Sequence, residues 1–232
     1  MLTPNNKYTA MQKHYYENEA PGMNVENHKG HNDNPDYWSI LVKDTEHGFK
    51  EKLGLDFGCG CGRNVQNLWP RFKRMDGADI SAGNLAFAKK NILATGCKDF
   101  KLFCTDGVSL AGISSDTYDF VMSTIVLQHI PVYSIRRQIL TDIFRVMKTG
   151  GLLSFQMGFG NTPAIVHNRP FASYYENALN AGGTNSAHDV WVEKAEFIVK
   201  DLTEIGFKNV TFKISHSWTD SHQQWIYIKA YK

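Results

Sequence analysis

Asp56, Asp79, Asp106 and His129 stand at or just beyond the ends of short apolar runs, where an open α/β sheet keeps its chemistry. Asp56 is followed by glycines at every second position, Gly58, Gly60 and Gly62. Glycine suits a sharp turn that a ligand approaches with no Cβ in the way. A dinucleotide site would place its third glycine at position 63, and that residue is Arg63. This disfavours a nicotinamide-dependent oxidoreductase. A carboxylate two residues before the first glycine would repel a pyrophosphate and help hold a cationic ligand. Asp79 lies about 20 residues beyond the glycines, the spacing at which a carboxylate takes ribose hydroxyls. Each aspartate has a plainer reading as well: Asp56 and Asp79 as caps of the helices that follow, Asp106 as a turn residue before Gly107. Gln128 and His129 follow a fourth apolar run. His129 titrates near neutrality and suits a base, or it only shapes the pocket ahead of the helix after Pro131.

The elements that would position these residues alternate. Strands are expected near 52–57, 74–80, 99–105, 118–124 and 151–157, and helices near 62–72, 81–95 and 132–148, with Ser81 as a cap. Strands alternating with helices predict a parallel sheet with helices on both faces. Residues 158–190 break the rhythm with Gly, Asn, Pro and many aromatics. A helix over about 191–205, stopped by Gly206, and strands near 208–216 and 224–231 follow. Before the alternation, residues 1–50 are polar and rich in Asn, His and Tyr. A helix is expected over 9–19, a loop over 24–34, and a second helix opened by Asn34 and Pro35.

In its order of motifs over about residues 50–158, the chain resembles the class I S-adenosylmethionine-dependent methyltransferases. The shared features are the acidic strand end with Gly-x-Gly-x-Gly, the carboxylate at Asp79, the acidic residue at Asp106, the fourth-strand run over 118–130, and the helix, glycine turn and strand over 146–156. The resemblance implies a doubly wound, mostly parallel seven-stranded sheet with an antiparallel last strand, helices on both faces and an N-terminal helical lid. It implies S-adenosyl-L-methionine as cofactor and methyl transfer to oxygen or nitrogen of a small-molecule acceptor. The cofactor residues it implies are Asp56, Gly58, Cys59, Gly60, Asn64, Asp79, Ile80, Asp106, Gly107 and Thr124, with Tyr8 and Tyr16 from the lid. On the acceptor side stand His14, Tyr15, His129, Phe159, Tyr174, Tyr175 and Trp218, with Gln128 and His129 as catalytic candidates. Phe171, Trp191 and Trp225 join the aromatics available to an acceptor pocket or to the core. The domain reading is a lid over 1–50 and a methyltransferase domain over 51–232, with 158–190 as the acceptor-binding insertion. Methylation of a protein or RNA, and a non-catalytic S-adenosylmethionine-binding protein, stay open beside it.

Composition bounds the partners. The chain has 232 residues, 42% apolar, enough for a full core. Its net charge of +2 comes from interspersed charges, with no block of Lys and Arg, so a nucleic-acid footprint is missing. No apolar run approaches the ~18 residues of a membrane helix, and residues 1–8 lack signal-peptide character. The four cysteines are Cys59, Cys61, Cys97 and Cys104; two share the glycine turn, and all read as reduced thiols. No metal is expected, since nothing completes a site around Cys59 and Cys61, and His28, His31 and Asp33 read as a solvated loop. A cytoplasmic monomer or homodimer is the resulting expectation. No Asn/Asp-Pro-Pro-Tyr and no cysteine follow the fourth run, which argues against amino-methylating and C5-methylating DNA enzymes.

Overall fold

The computed structural model describes residues 4–19, 40–42, 48–160, 171–179, 189–216 and 224–232. Its strands are β1 (Leu53–Phe57), β2 (Arg74–Asp79), β3 (Leu102–Cys104), β4 (Tyr118–Ser123), β5 (Met147–Phe159), β6 (Lys208–His216) and β7 (Gln224–Tyr231). The helices are α1 (Pro4–His14), α2 (Arg63–Leu68), α3 (Ala82–Ala94), α4 (Tyr133–Val146) and α5 (Ala195–Ile205). One seven-stranded sheet runs in the order β3-β2-β1-β4-β5-β7-β6. β1 to β5 pair in parallel, and β7 pairs antiparallel with both β5 and β6. The chain winds outward from β1 to β3, then returns to lay β4 on the other side of β1. At such a reversal an open α/β sheet forms its ligand crevice, here at the carboxyl ends of β1 and β4.

Strand periodicity splits the core. Leu55, Val121, Leu153 and Phe155 pack with Ile135, Ile139 and Ile143 of α4 and Ile198 and Leu202 of α5. Phe120, Met122 and Leu152 point the other way, to Val65 and Leu68 of α2 and Leu85, Ala88 and Ile92 of α3. Alternate residues of each strand face opposite layers, so both faces of the sheet are buried. Tyr8 of α1 is 1% exposed and belongs to the first of these clusters. The N-terminal helix is thus seated in the main core.

Several boundaries differ from the sequence expectation, each for a local reason. The helix expected over 62–72 ends at Leu68, and Pro70 turns Trp69–Arg71 into a 3-10 segment. The N-terminal helix starts at Pro4 and widens to a π-helical turn at Tyr15–Glu19. The strand expected over 99–105 is ladder-paired only at Leu102–Cys104. The helix expected from 191 starts at Ala195, because Val190 and Val192 are extended and bridge to Ala172 and Phe159. Ser81 caps α3 by accepting from Asn84 N at 3.1 Å, and Gly206 ends α5 at φ 117°. The expected loop over 24–34, the helix from Asn34 and Pro35, and Trp218 lie outside the described residues.

Candidate active site

The glycine turn is built by its hydrogen bonds to β2. Gly58 N and Cys59 N both donate to Ala78 O, at 2.7 and 3.0 Å. Gly60 N donates to Asp79 Oδ2 and Ser81 N to Asp79 Oδ1, each at 2.9 Å. Gly58 and Gly62 have φ of 73° and 84°. A Cβ on Gly58 would stand 2.3 Å from Val126, and one on Gly62 would press on Ala88 and Ile92 of α3. Side chains are excluded there by both conformation and space.

Asp79 is 8% exposed and accepts from Gly60 N and Ser81 N, with the Asn84 side chain and the Ile80 backbone N–H also bonded to it. Burial raises its pKa against the bonds from Ser81 and Gly60, which favour the charged form. Asp56 is 0% exposed. Its Oδ1 accepts from Asn64 Nδ2 at 3.2 Å, and the same nitrogen donates to Thr124 Oγ1 at 3.0 Å. Asp56 Oδ2 and Asn64 Oδ1 are buried acceptors with no hydrogen-bond partner. Burial carries the Asp56 carboxyl up to about 7, with the Asn64 bond and nearby Arg63 opposing and Asp79 assisting. Two unmet acceptors beside a buried carboxylate fit an ammonium group.

Gln156 extends the same polar row. The sheet register sets Asp56 beside Met122 and Met122 beside Ser154, so Gln156, two residues on from Ser154, shares their face. It is 0% exposed, and neither end of its amide has a hydrogen-bond partner. The sequence held a signal for it: one glutamine inside the apolar run of β5.

The N-terminal segment lies on the other flank of these residues. Thr9 and Ile80 close on Gly107, where a Cβ would be 3.5 and 2.6 Å from them. Ser81 Oγ donates to Tyr16 O at 3.4 Å, and Ala82 N donates to Glu17 Oε1 at 3.2 Å. Tyr16 is half-buried. Its phenol is held well above its ordinary value, by burial first and then by Tyr8, Asp189, Tyr15 and Asp79. Tyr15 meets Tyr16 edge-on at 5.1 Å, while His14 is exposed near Asn18.

Past β4, Leu127–His129 form a 3-10 turn. Gln128 is 1% exposed, its Oε1 without a partner. His129 Nδ1 sits 2.5 Å from Asp189 Oδ1. Burial lowers the His129 pKa, but the Asp189 charge and hydrogen bond outweigh this and leave it raised. Asp189 escaped the sequence reading because it lies in the stretch without periodicity; the apolar run Val190, Trp191 and Val192 after it was the available sign of an extended, buried segment.

Other expected residues are placed differently. Tyr8 is buried in the core near Arg136, its hydroxyl unpartnered. Tyr174 is buried, and its hydroxyl donates to Asp201 of α5 at 2.9 Å. Tyr175 packs on Phe197 and Tyr133 and is 38% exposed. These two tyrosines fasten residues 171–179 to α4 and α5. Phe159 is half-buried at the end of β5, Phe171 meets Trp191 at 4.6 Å, and Trp225 is fully buried beside Leu41 and Tyr227. Asp106 is exposed and closes its own turn, accepting from Val108 N, Ser109 N and Ser109 Oγ. Those bonds hold its carboxyl below the usual range against the opposing effect of partial burial. Among the described residues no cluster of three His, Cys, Asp or Glu suits a metal, and no helix is long and apolar enough to cross a membrane.

Comparison with known proteins agrees with this geometry. Residues 55–155, from β1 to the middle of β5, match the family described as a methyltransferase domain. The match takes in the glycine turn, Asp56, Asp79 and His129, and it supports the resemblance to the class I S-adenosylmethionine-dependent methyltransferases, whose cofactor is S-adenosyl-L-methionine. The fold is shared with the N-methyltransferase NodS from Bradyrhizobium japonicum WM9, solved with S-adenosyl-L-homocysteine: TM-score 0.64, 14% identity, 98% of each chain covered. It is shared with phosphoethanolamine N-methyltransferase 2 of Haemonchus contortus, solved with phosphomonomethylethanolamine and S-adenosylhomocysteine: TM-score 0.59, 16% identity, 83% of this chain and 51% of that one. The [4+2]-cyclase SpnF has it too, at TM-score 0.63 and 16% identity over 85% of this chain and 80% of that one. No curated protein matches the chain in sequence.

Two measurements probe the carboxylates. Asp79→Ala is expected to weaken S-adenosylmethionine binding about 10- to 100-fold, through loss of a charge-assisted contact and of the anchor for Gly60. Unchanged affinity by calorimetry in a folded variant would remove Asp79 from the cofactor site. Asp56 gives a pH test. Its folded value of about 7 lies above the ordinary 3.8, so between these values the folded state keeps a proton that the unfolded state has released. Stability from this group therefore falls as pH rises from about 4 to about 7. Asp56→Asn should raise the melting temperature of the ligand-free protein more at pH 8 than at pH 5. Equal shifts at both pH values would contradict the buried-carboxylate assignment.

Proposed function

We propose that the protein transfers a methyl group from S-adenosylmethionine to oxygen or nitrogen of a small-molecule acceptor, giving S-adenosylhomocysteine. The observation that carries this reading is the N-terminal segment seated across the crevice, with Tyr16 and Glu17 bonded to Ser81 and Ala82 beside Asp79. A crevice roofed in this way suits a small acceptor better than a protein or RNA chain. The small-molecule N-methyltransferase among the proteins that share the fold supports the same class.

In this reading Asp79 takes the ribose hydroxyls, and Asp56 with Asn64 takes the ammonium of the methionine part. When bound, the cofactor supplies a methyl group already activated on a sulfonium sulfur. The chain's main task is alignment, and in-line positioning alone is worth ~7–11 kcal/mol. An acceptor hydroxyl or ammonium must also lose a proton. Tyr16 is unsuited to take it, since its phenol keeps its proton well past neutrality. His129, at the carboxyl edge beyond β4, is the proposed base. Residues 1–50 then act as a lid, and 158–190 as the segment that completes the acceptor side.

The direct test is release of S-adenosylhomocysteine across a panel of small amines, phenols and alcohols; binding of S-adenosylmethionine with no turnover of any of them would favour a non-catalytic protein. His129→Asn should lower turnover by about 10²–10⁴, the range of an aligned base, and leave cofactor affinity nearly intact. A joint fall in both would mean that His129 builds the cofactor pocket. Hydrogen exchange tests the lid: amides of residues 8–19 should slow when S-adenosylhomocysteine binds. Protection confined to 56–62 and 79 would contradict it.

A further inference from the structure

A histidine meant to accept a proton needs its ring fixed and its two nitrogens distinguished. Here one nitrogen is already committed. His129 Nδ1 lies 2.5 Å from Asp189 Oδ1, with both side chains largely buried, at 24% and 13% exposure. Asp189 is 60 residues away in sequence, and its backbone is pinned on two sides. Ala172 N donates to Asp189 O at 2.9 Å, and Val190 N donates to Gln128 O at 2.7 Å. The extended run continues with Val192 N donating to Gly158 O at 3.1 Å. Val190 and Val192 are both 0% exposed. Residues 189–192 are therefore a fixed rail between the end of β5 and the turn that carries His129.

The geometry points to Asp189 as a positioning residue: it holds His129 as the Nδ1–H tautomer, leaving the Nε2 lone pair as the one available to the acceptor. This rests on the reading of His129 as the base. A proton then passes from the acceptor's O–H or N–H to Nε2, while the Nδ1 proton stays on its bond to Asp189, which steadies the imidazolium that forms.

A purely structural role accounts for less. The backbone bond from Val190 to Gln128 already ties the segment to the His129 turn, and a buried ion pair brings little net stability once desolvation is counted. The other charged or titratable groups nearby have different duties. Tyr16 faces both Asp189 and Asp79 and remains a neutral phenol. Arg136, one turn into the next helix, gives its guanidinium to Ile130 O and Tyr174 O.

The test uses the full-length protein and Asp189→Asn, which keeps size and backbone contacts. In wild type, ring nitrogen shifts of His129 should show a protonated Nδ1 and an unprotonated Nε2 at high pH, and Asp189→Asn should lower the His129 pKa. The acidic limb of the pH–rate profile should move down with it, and kcat should fall about 10- to 100-fold, part of the range of an aligned base. KM for S-adenosylmethionine and the melting temperature should hardly move. A His129 pKa unmoved by Asp189→Asn, or an Nε2–H tautomer in wild type, would overturn the assignment. So would a lower melting temperature with an unshifted pH profile. Ring nitrogen shifts as expected in a protein that methylates nothing in the panel would uphold the pair and sink the methyl-transfer reading instead.

Discussion

The crevice depends on what Asp79 does with its two oxygens. One takes Gly60 N and the other Ser81 N, so a single carboxylate ties the glycine turn after β1 to the start of α3 after β2. Those N–H groups belong to backbone that cannot bond within a strand or helix, and the carboxylate supplies the acceptor they lack. The glycines make the close approach possible: Gly58 and Cys59 reach Ala78 O only because no Cβ intrudes at Gly58. Carboxylate and glycines thus require each other. A ligand arriving at Asp79 meets a group whose position is already set, and little ordering is left to oppose binding.

The two flanks of the crevice are closed by segments from distant parts of the sequence. Residues 4–17 reach Gly107 and the start of α3, and residues 189–192 reach β5 and the His129 turn. Between them lie buried groups whose bonding is incomplete: Asp56 Oδ2, Asn64 Oδ1, Gln128 Oε1 and the Gln156 amide. Each such group costs about 1–3 kcal/mol while unmet. A chain selected for stability alone would fill these positions with apolar side chains. Their retention along one edge of the sheet marks that edge as a place built for a polar guest.

Much of this was legible in the sequence, for a physical reason. Parallel strands buried on both faces are apolar runs, and their alternation with helices fixes the sheet; Ser81 and Gly206 announce a helix start and a helix end by their backbone needs. Asp56 and Asp79 stood out at the ends of β1 and β2, and His129 in the turn that follows β4. What stayed hidden was long-range or aperiodic. Nothing local tells that Asp189 will meet a histidine 60 residues earlier, or that Tyr174 will spend its hydroxyl on Asp201. Trp69 and Arg71 looked helical, and Pro70 bent them into a tighter turn. Asp106, expected at the cofactor from the resemblance, also closes its own turn with bonds from Val108 and Ser109, a local use that the residue before Gly107 announces.

The position of β7 has a bearing on how the molecule comes into being. This strand, residues Gln224–Tyr231, does not add to an edge; it slides between β5 and β6 and bonds along both. Lys232 N and Gly151 O, then Gly150 N and Lys232 O, continue that pairing. During synthesis from the amino terminus, β1 to β5 can assemble as they emerge, but β6 has no neighbour until the residues after it are made. For that interval β5 offers an open flank of apolar backbone, the kind of edge on which nascent chains associate wrongly. Completion of the sheet is the last folding event the topology allows, and shortening the chain before residue 224 would leave that flank open for good.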